Sequence, residues 1–358
     1  KGQIWKSASH WIARGNDVFE AISLSTLNHA FDYRLPMVEL HDSIFLALNT
    51  GYVGAPLDVP MDEYTQLRVN DFEFSIGSDG GIGIIETLPS IENGFRRLGV
   101  SNIRGYNLLK SAFPWFAGIT LNGDTLHAGN RHSELWFQSY PDHPFISPGP
   151  YSTSFDHPRN NQAWLVKKDE VLEHQNKHQD SAYTMPVDFS SWQTHGYPGS
   201  GEAACLAPFI DVDGDGKYIP QAGDYPQIRG DVATYAISND SYFPRFYPTI
   251  DTPMGIEIHT MVYGYESPYP VLKNTLFVNL RIVNRGQNDF SSFRWGMFNL
   301  FSLGTNDQVG IARNFVGCDT NYNLSYVHYS YDYDYVNDLN PGAFGLVILN
   351  SEISSHLI

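Results

Sequence analysis

The chain is poor in cysteine, in basic charge and in long apolar runs, and each shortage narrows what it can be. Its 358 residues include two cysteines, Cys205 and Cys318, which cannot make the framework of a disulfide-stapled domain. They form one pair or two separate thiols, and spacing does not choose between these. Lysine and arginine number 22 against 39 acids, a formal net charge of −17. Proteins that hold nucleic acid need a basic face to meet phosphates, so this balance argues against that class of partner. Charged residues make up 17% of the chain, short of the ~25% usual in soluble domains. No apolar run approaches the ~20 residues that cross a bilayer as a helix. The sequence opens at Lys1 with neither methionine nor a signal-peptide pattern. We read it as a mature or trimmed chain, so the missing signal does not argue for the cytosol.

What is abundant points one way. Aromatics reach 14%, with 22 Tyr and 22 Phe, alongside 31 Gly and 21 Pro. Aromatic side chains suit the pleated, half-buried surface of a strand, and Gly and Pro supply turns. The length suits one large domain or two ordinary ones. This is the profile of a β-rich secreted or cell-surface protein.

Along the chain, residues 1–110 read as a mixed N-terminal region, in which Asp17–Leu27 carries the apolar spacing of a short helix. Residues 77–83 (GSDGGIG) interrupt an alternating stretch. They lack both the Lys-Ser/Thr of a phosphate loop and the GxGxxG order, so a phosphate site is not the expectation. Ala112–Ile119 is a strand-like run ending at Asn122-Gly123-Asp124, a hairpin signal. Trp164–His178 is the clearest helical stretch, with Val166, Val171 and Leu172 on one face. From Ala233 onward the pattern becomes a run of strands: Ala233–Ser238, Gly255–Tyr265, Asn274–Asn284, Ser292–Phe301, Phe315–Asp319 and Asn323–Tyr329. Their alternation and even spacing predict antiparallel sheets with one covered face. The expectation is an all-β protein of antiparallel β-sandwich domains, jelly-roll or immunoglobulin-like, with one short helix and long irregular loops. Residues 111–358 form its β-rich region.

The segment Asp211-Val-Asp-Gly-Asp-Gly216 has the chemistry of a calcium loop. Alternating carboxylates can converge on one point, two glycines permit the sharp turn, and hard oxygen ligands suit Ca²⁺. Lys217 at the seventh position would offer its carbonyl. The glutamate of a helix-loop-helix site is missing at the twelfth position, where Ala222 stands, and the next acid is Asp224. The flanks Pro208-Phe209-Ile210 and Tyr218-Ile219-Pro220 do not read as helices. The expected ligands are therefore Asp211, Asp213, Asp215 and Asp224, with Lys217 through its main chain, in a calcium-stapled loop spanning 211–224. A metal-free acidic turn is the alternative. Three acids this close repel one another, and a cation relieves that.

The central stretch carries a set of motifs in fixed order. They are Trp164-Leu-Val-Lys-Lys-Asp-Glu-Val171 with His174, Tyr183-Thr-Met-Pro186, Trp192 with His195-Gly196, and Leu206-Ala-Pro-Phe-Ile-Asp-Val-Asp-Gly-Asp-Gly216. Gly223-Asp-Tyr-Pro-Gln-Ile-Arg-Gly-Asp231 and Asn239-Asp240 follow. Gly255-Ile-Glu-Ile-His259, Asn274-Thr275, Ile282-Val-Asn-Arg285 and Gly317-Cys-Asp-Thr320 continue the series. Over roughly residues 110–350 this order resembles a family of large secreted Bacteroidetes proteins exported by the type IX secretion system, most of them without an assigned activity. The resemblance implies export, a place outside the outer membrane, and type IX or outer-membrane components as partners. A second acidic cluster that the family often carries is not matched: Asn299-Leu-Phe-Ser-Leu-Gly304 is followed only by Asp307. Nor does the chain, which stops at Ile358, include the C-terminal sorting domain usual there, which has been cleaved or lies beyond it.

Other constellations are weaker. His174 and His178 stand four apart, but Gln175 replaces the glutamate of a metalloprotease helix. Glu257 and His259 alternate on one strand face, either a general-base pair or a buried hydrogen bond. No Gly-x-Ser-x-Gly elbow is present, and no spacing rule joins the remaining histidines. Trp115, Trp136, Trp192 and Trp295 suit a core or a sugar-stacking surface. The leading expectation is a non-catalytic, calcium-stabilised structural or adhesive protein. The alternatives are a carbohydrate-active enzyme or glycan-binding module at the cell surface, and a subunit of an outer-membrane assembly.

Overall fold

The computed structural model describes residues 10–14, 21–23, 44–46, 64–70, 72–82, 100–102, 107–129, 146–153, 162–241, 252–301, 303, 314–329, 343–349 and 356–357. Within them the protein is all-β and its strand pairs are antiparallel. A nine-stranded sheet runs in the order Ala163–Lys167, Val232–Asn239, Ile256–Gly264, Leu276–Asn284, Ile44–Leu46, Ala343–Ile348, Leu324–Tyr329 and Asn314–Asp319, with Ser147–Pro148 beside Val232–Asn239. A six-stranded sheet runs Phe290–Phe301, Asn107–Thr120, Val100–Asn102, Phe72–Gly77 and Tyr64–Val69, with Thr125–Gly129 also on Asn107–Thr120. The six strands expected after Ala233 are all present, each within two residues of its expected bounds.

The alternation of side chains builds two cores on opposite faces of the large sheet. Ala236, Ile258, Val262, Leu276, Val278 and Leu346 point to one face. There they share a buried cluster with Phe74, Ile76, Phe116 and Trp295 of the smaller sheet, so the two sheets pack face to face. Trp164, Val166, Ala233, Tyr235, Ile237, Met261 and Tyr263 point to the other face. A layer of loops and short helices drawn from residues 168–228 covers them, through Val171, Phe189, Trp192, Leu206 and Ala207. Such double coverage explains why every residue of Val232–Asn239 and Ile256–Gly264 is buried.

Two expectations are corrected. The stretch Trp164–His178 divides into a strand, Ala163–Lys167, and a helix, Lys168–Lys177. Trp164 and Val166 alternate into the second core while their main chain pairs with Val232–Ala236, and that pairing overrides a helical spacing of apolar residues. Val171 is buried, but Leu172 is half exposed. Within Asp17–Leu27, Ala21–Ser23 is a strand paired with His10–Ile12, and the rest of that expected helix lies outside the described residues. The boundary expected at residue 110 falls inside the strand Asn107–Thr120. Strands from before it are members of both large sheets.

Candidate metal centre

The acidic loop lies in the covering layer, between the short paired strands Phe209–Ile210 and Tyr225–Pro226. Gly214 and Gly216 have φ of 76° and 77°. Nothing stands within 4 Å of a Cβ built on either, so left-handed geometry, not crowding, calls for glycine there. The turn brings the carboxylates of Asp211, Asp213 and Asp215 together, with one oxygen from each within 4.8 Å of the others. Calcium binds oxygens at roughly 2.3–2.6 Å, so two ligands of one ion stand at most about 5 Å apart, and the three oxygens fit that limit. Among the described residues this is the one group of three or more metal-capable side chains brought together.

Main-chain amides shape the cluster. Asp211 accepts N–H groups from Gly214 at 2.7 Å and Gly216 at 2.8 Å, one on each oxygen. Asp213 accepts the N–H of Asp215 at 3.1 Å, and Asp215 that of Lys217 at 2.8 Å. The hydrogen bond from Gly216, reinforced by that from Gly214, holds the Asp211 carboxyl below the usual carboxylate range. Asp211 therefore favours the charged form in which a cation is bound. Asp213 and Asp215 are exposed and Asp211 half-buried.

Asp224 stands apart from this trio. It is 1% exposed, and its oxygens accept the N–H of Val212 at 2.8 Å and of Ile219 at 2.7 Å. The structure thus gives it the part of a brace behind the loop, tying entrance to exit. Lys217 directs its ammonium at Asp215, 3.9 Å away, from an exposed position.

The loop is anchored to the second core. Phe209 before it and Tyr218 after it stack edge-to-face with ring centres 5.3 Å apart, and both pack on that core. The Tyr218 hydroxyl donates to Phe189 O at 2.8 Å. Behind the loop, the His178 ring lies over Gly223, where a Cβ would come within 3.1 Å of it. His178 contacts His174, whose Nδ1 meets the Tyr183 hydroxyl at 3.2 Å. Burial, with His178 beside it, pushes the His174 imidazole down from its ordinary value, favouring its neutral form. The two histidines serve as packing behind the acidic turn, and no third metal-capable side chain joins them among the described residues.

Glu257 and His259 do meet, deep in the sheet. His259 Nε2 lies 3.0 Å from Glu257 Oε1, and His259 Nδ1 lies 2.6 Å from the Tyr235 hydroxyl. Arg285 donates to the same Glu257 oxygen at 2.8 and 3.0 Å, and Tyr151 N–H to the other at 3.0 Å. Burial opposes ionisation of Glu257, yet His259 and Arg285 together hold its carboxyl below its ordinary value. Glu257 and His259 are 0% and 2% exposed. A general base must reach its substrate, and this line of side chains is closed off by packing.

The remaining sequence candidates fall into place as structure. Residues 77–82 of the glycine-rich loop are buried, and the Gly77, Gly80 and Gly81 N–H groups are occupied by Gly81 O, Gly77 O and the Asp79 carboxylate. Trp115, Trp192 and Trp295 are buried, and Trp136 lies outside the described residues. Cys205 is exposed and Cys318 half-buried, each a free thiol. Two features escaped sequence reasoning. Trp164, Trp192 and Tyr235 form an aromatic cluster with centres 5.0–6.3 Å apart, and the strand alternation of Trp164 and Val166 was the signal for it. The buried Asp240 clamps the N–H groups of Met254, Gly255 and Ile256, and no local pattern announces that. No family model, no curated protein and no solved structure matches the chain.

Proposed function

We propose that this chain is a calcium-stabilised structural or adhesive protein of the cell exterior, without catalytic activity, and a cargo of type IX export or an outer-membrane-associated component. The observation that carries the calcium part is the convergence of Asp211, Asp213 and Asp215 within 4.8 Å on a turn whose glycines and amides shape it. Asp211, Asp213 and Asp215 would hold the ion, which would supply positive charge that relieves their repulsion. Export and surface location rest on the resemblance of the motif series between Trp164 and Thr320, and on a composition rich in aromatics and poor in charge. The absence of catalysis rests on the sealed Glu257–His259–Tyr235 line. The three buried tryptophans count against a sugar-stacking platform.

Loops of this kind in extracellular modules bind Ca²⁺ with constants of roughly 10⁻⁴–10⁻³ M. At about ten times such a concentration the ion stabilises the fold by ~1.4 kcal/mol, enough to hold the covering layer and too little to act as a switch. The test is a thermal melt with millimolar calcium and then with chelator, repeated for Asp213→Ala. Chelation is expected to lower Tm in the wild type and leave the variant unmoved. Identical melts in all conditions would remove the calcium reading.

A further inference from the structure

The hairpin joining Asn107–Thr120 to Thr125–Gly129 turns on Leu121, Asn122 and Gly123. Thr120 N–H donates to Asp124 O at 2.9 Å, and Gly123 N–H donates to Thr120 O at 3.0 Å. This is a three-residue loop closed by a left-handed glycine, with φ of +90° at Gly123. Residues 121–125 are all exposed. Nothing stands within 4 Å of a Cβ built on Gly123, and the Asn122 side chain has no hydrogen-bond partner among the described residues.

We propose that Asn122 is a site of spontaneous covalent modification, deamidation and isomerisation, with water as the co-reactant. The main-chain nitrogen of Gly123, having given its proton to solvent, attacks Cγ of Asn122. The new N–C bond closes a succinimide ring, while the bond from Cγ to the side-chain nitrogen breaks. That nitrogen leaves as ammonia, taking its proton from water. A water molecule then opens the ring at either carbonyl, giving aspartate by one route and isoaspartate by the other.

Each requirement is met by a feature of the tip. Glycine presents no side chain to the approaching amide, exposure admits water, and no packing holds Asn122 in place. Hydrogen bonds still restrain the tip, from Gly123 N–H to Thr120 O, from Leu121 N–H to Asp289 O at 3.0 Å and from Asp124 N–H to Thr120 Oγ1 at 3.1 Å, so the reaction runs from the opened tip and is slower than in an unfolded chain. The Asp-Gly pairs of the acidic loop make the contrast. There the Gly214 and Gly216 N–H groups are both held by Asp211, and an ionised carboxylate is a poorer electrophile than an amide. Isoaspartate lengthens the main chain of a loop whose length sets its turn type. Either product places a new carboxylate two positions from Asp124, on a chain already at −17. The proposal is independent of the calcium reading.

The experiment incubates the intact protein at mildly alkaline pH, maps its peptides by mass and assays isoaspartate by enzymatic methylation. A parallel sample is held in denaturant. The peptide spanning Asn122 is expected to gain the mass of amide-to-acid conversion, with isoaspartate in excess over aspartate, several-fold more slowly in the folded protein than in denaturant. Asn122→Gln, which leaves Gly123 and the turn in place, should abolish the isoaspartate signal from that peptide. Asn122 remaining intact in the folded protein over a period in which the denatured sample converts would overturn the proposal, because the turn hydrogen bond would then close the site. Conversion to aspartate without isoaspartate would overturn the succinimide route.

Discussion

The buried carboxylate of Asp224 accepts the main-chain N–H of Val212 at 2.8 Å, joining the far end of the covering loop to the interior of the acidic turn. Its second oxygen accepts Ile219 N–H, so one side chain closes the loop from behind while three others face outward. Asp224→Ala strands both amides. Leaving a buried donor unsatisfied costs about 1–3 kcal/mol, and because Val212 and Ile219 are themselves partly open to water the variant should lose an amount at the low end of that range in urea unfolding. Asp224→Asn, which keeps one acceptor oxygen but turns an amide NH₂ toward an N–H, should fall between. The variants should also respond less to calcium than the wild type, because the turn that gathers Asp211, Asp213 and Asp215 is no longer held.

This relationship marks where sequence reading stops. The Asp-x-Asp-x-Asp spacing and the two glycines announce a turn that gathers carboxylates, because alternation and left-handed φ are local properties. Asp224 reads from sequence as a fourth member of the cluster, since distance along the chain says nothing about which atoms an oxygen faces. The strands after Ala233 were legible for the same local reason. The split of Trp164–Lys177 into strand and helix was not, because the partner that decides it, Val232–Ala236, lies far along the chain. Glu257 and His259 were placed on one face by alternation alone, but Tyr235 and Arg285, which complete their network, come from other strands and turns.

Asp240 carries a pH signature. Burial pushes its carboxyl up from 3.8 to about 7, against the pull of the Ile256, Met254 and Gly255 N–H groups. A carboxyl whose pKa is raised by folding binds more protons in the native state, so its contribution to stability falls as pH rises between 3.8 and about 7. Asp240→Asn removes that titration. The stability of wild type relative to Asp240→Asn should therefore decline from pH 4 toward pH 7 and level off above it, in urea melts across the range. A difference that does not change with pH would mean that the amides of residues 254–256 already hold Asp240 ionised.

Arg285 guards the opposite case. Glu257 is fully buried and its pKa is depressed, so its contribution is fully present above the ordinary carboxylate pKa and is lost as pH falls from there through the lower native value. Removing the guanidinium in Arg285→Met leaves a buried carboxylate with His259 and the Tyr151 N–H as its remaining partners. Breaking a buried pair costs about 3–5 kcal/mol, and because the Arg285 side chain is itself 26% exposed the expected loss is at the low end or below. The gap between variant and wild type should narrow on acidification, since a protonated Glu257 no longer needs the guanidinium.

Trp192 tests whether the aromatic cluster is core or binding surface. Its ring lies 5.0 Å from Tyr235 and 5.5 Å from Trp164, and its Nε1–H donates to Pro208 O at 2.9 Å. It is 3% exposed and links the covering layer to the outer face of the large sheet. Trp192→Ala should cost about 3–5 kcal/mol, as large core truncations do. Trp192→Phe, which keeps most of the packing and removes the indole donor from a Pro208 carbonyl that Gln227 N–H still reaches at 3.1 Å, should cost about 1 kcal/mol. Amide exchange should rise first in residues 191–208, because that segment loses its anchor while the sheet beneath keeps its ladder. If Trp192→Ala left stability and exchange unchanged but abolished binding to a surface glycan, the cluster would be a ligand platform, and the structural reading of the covering layer would give way.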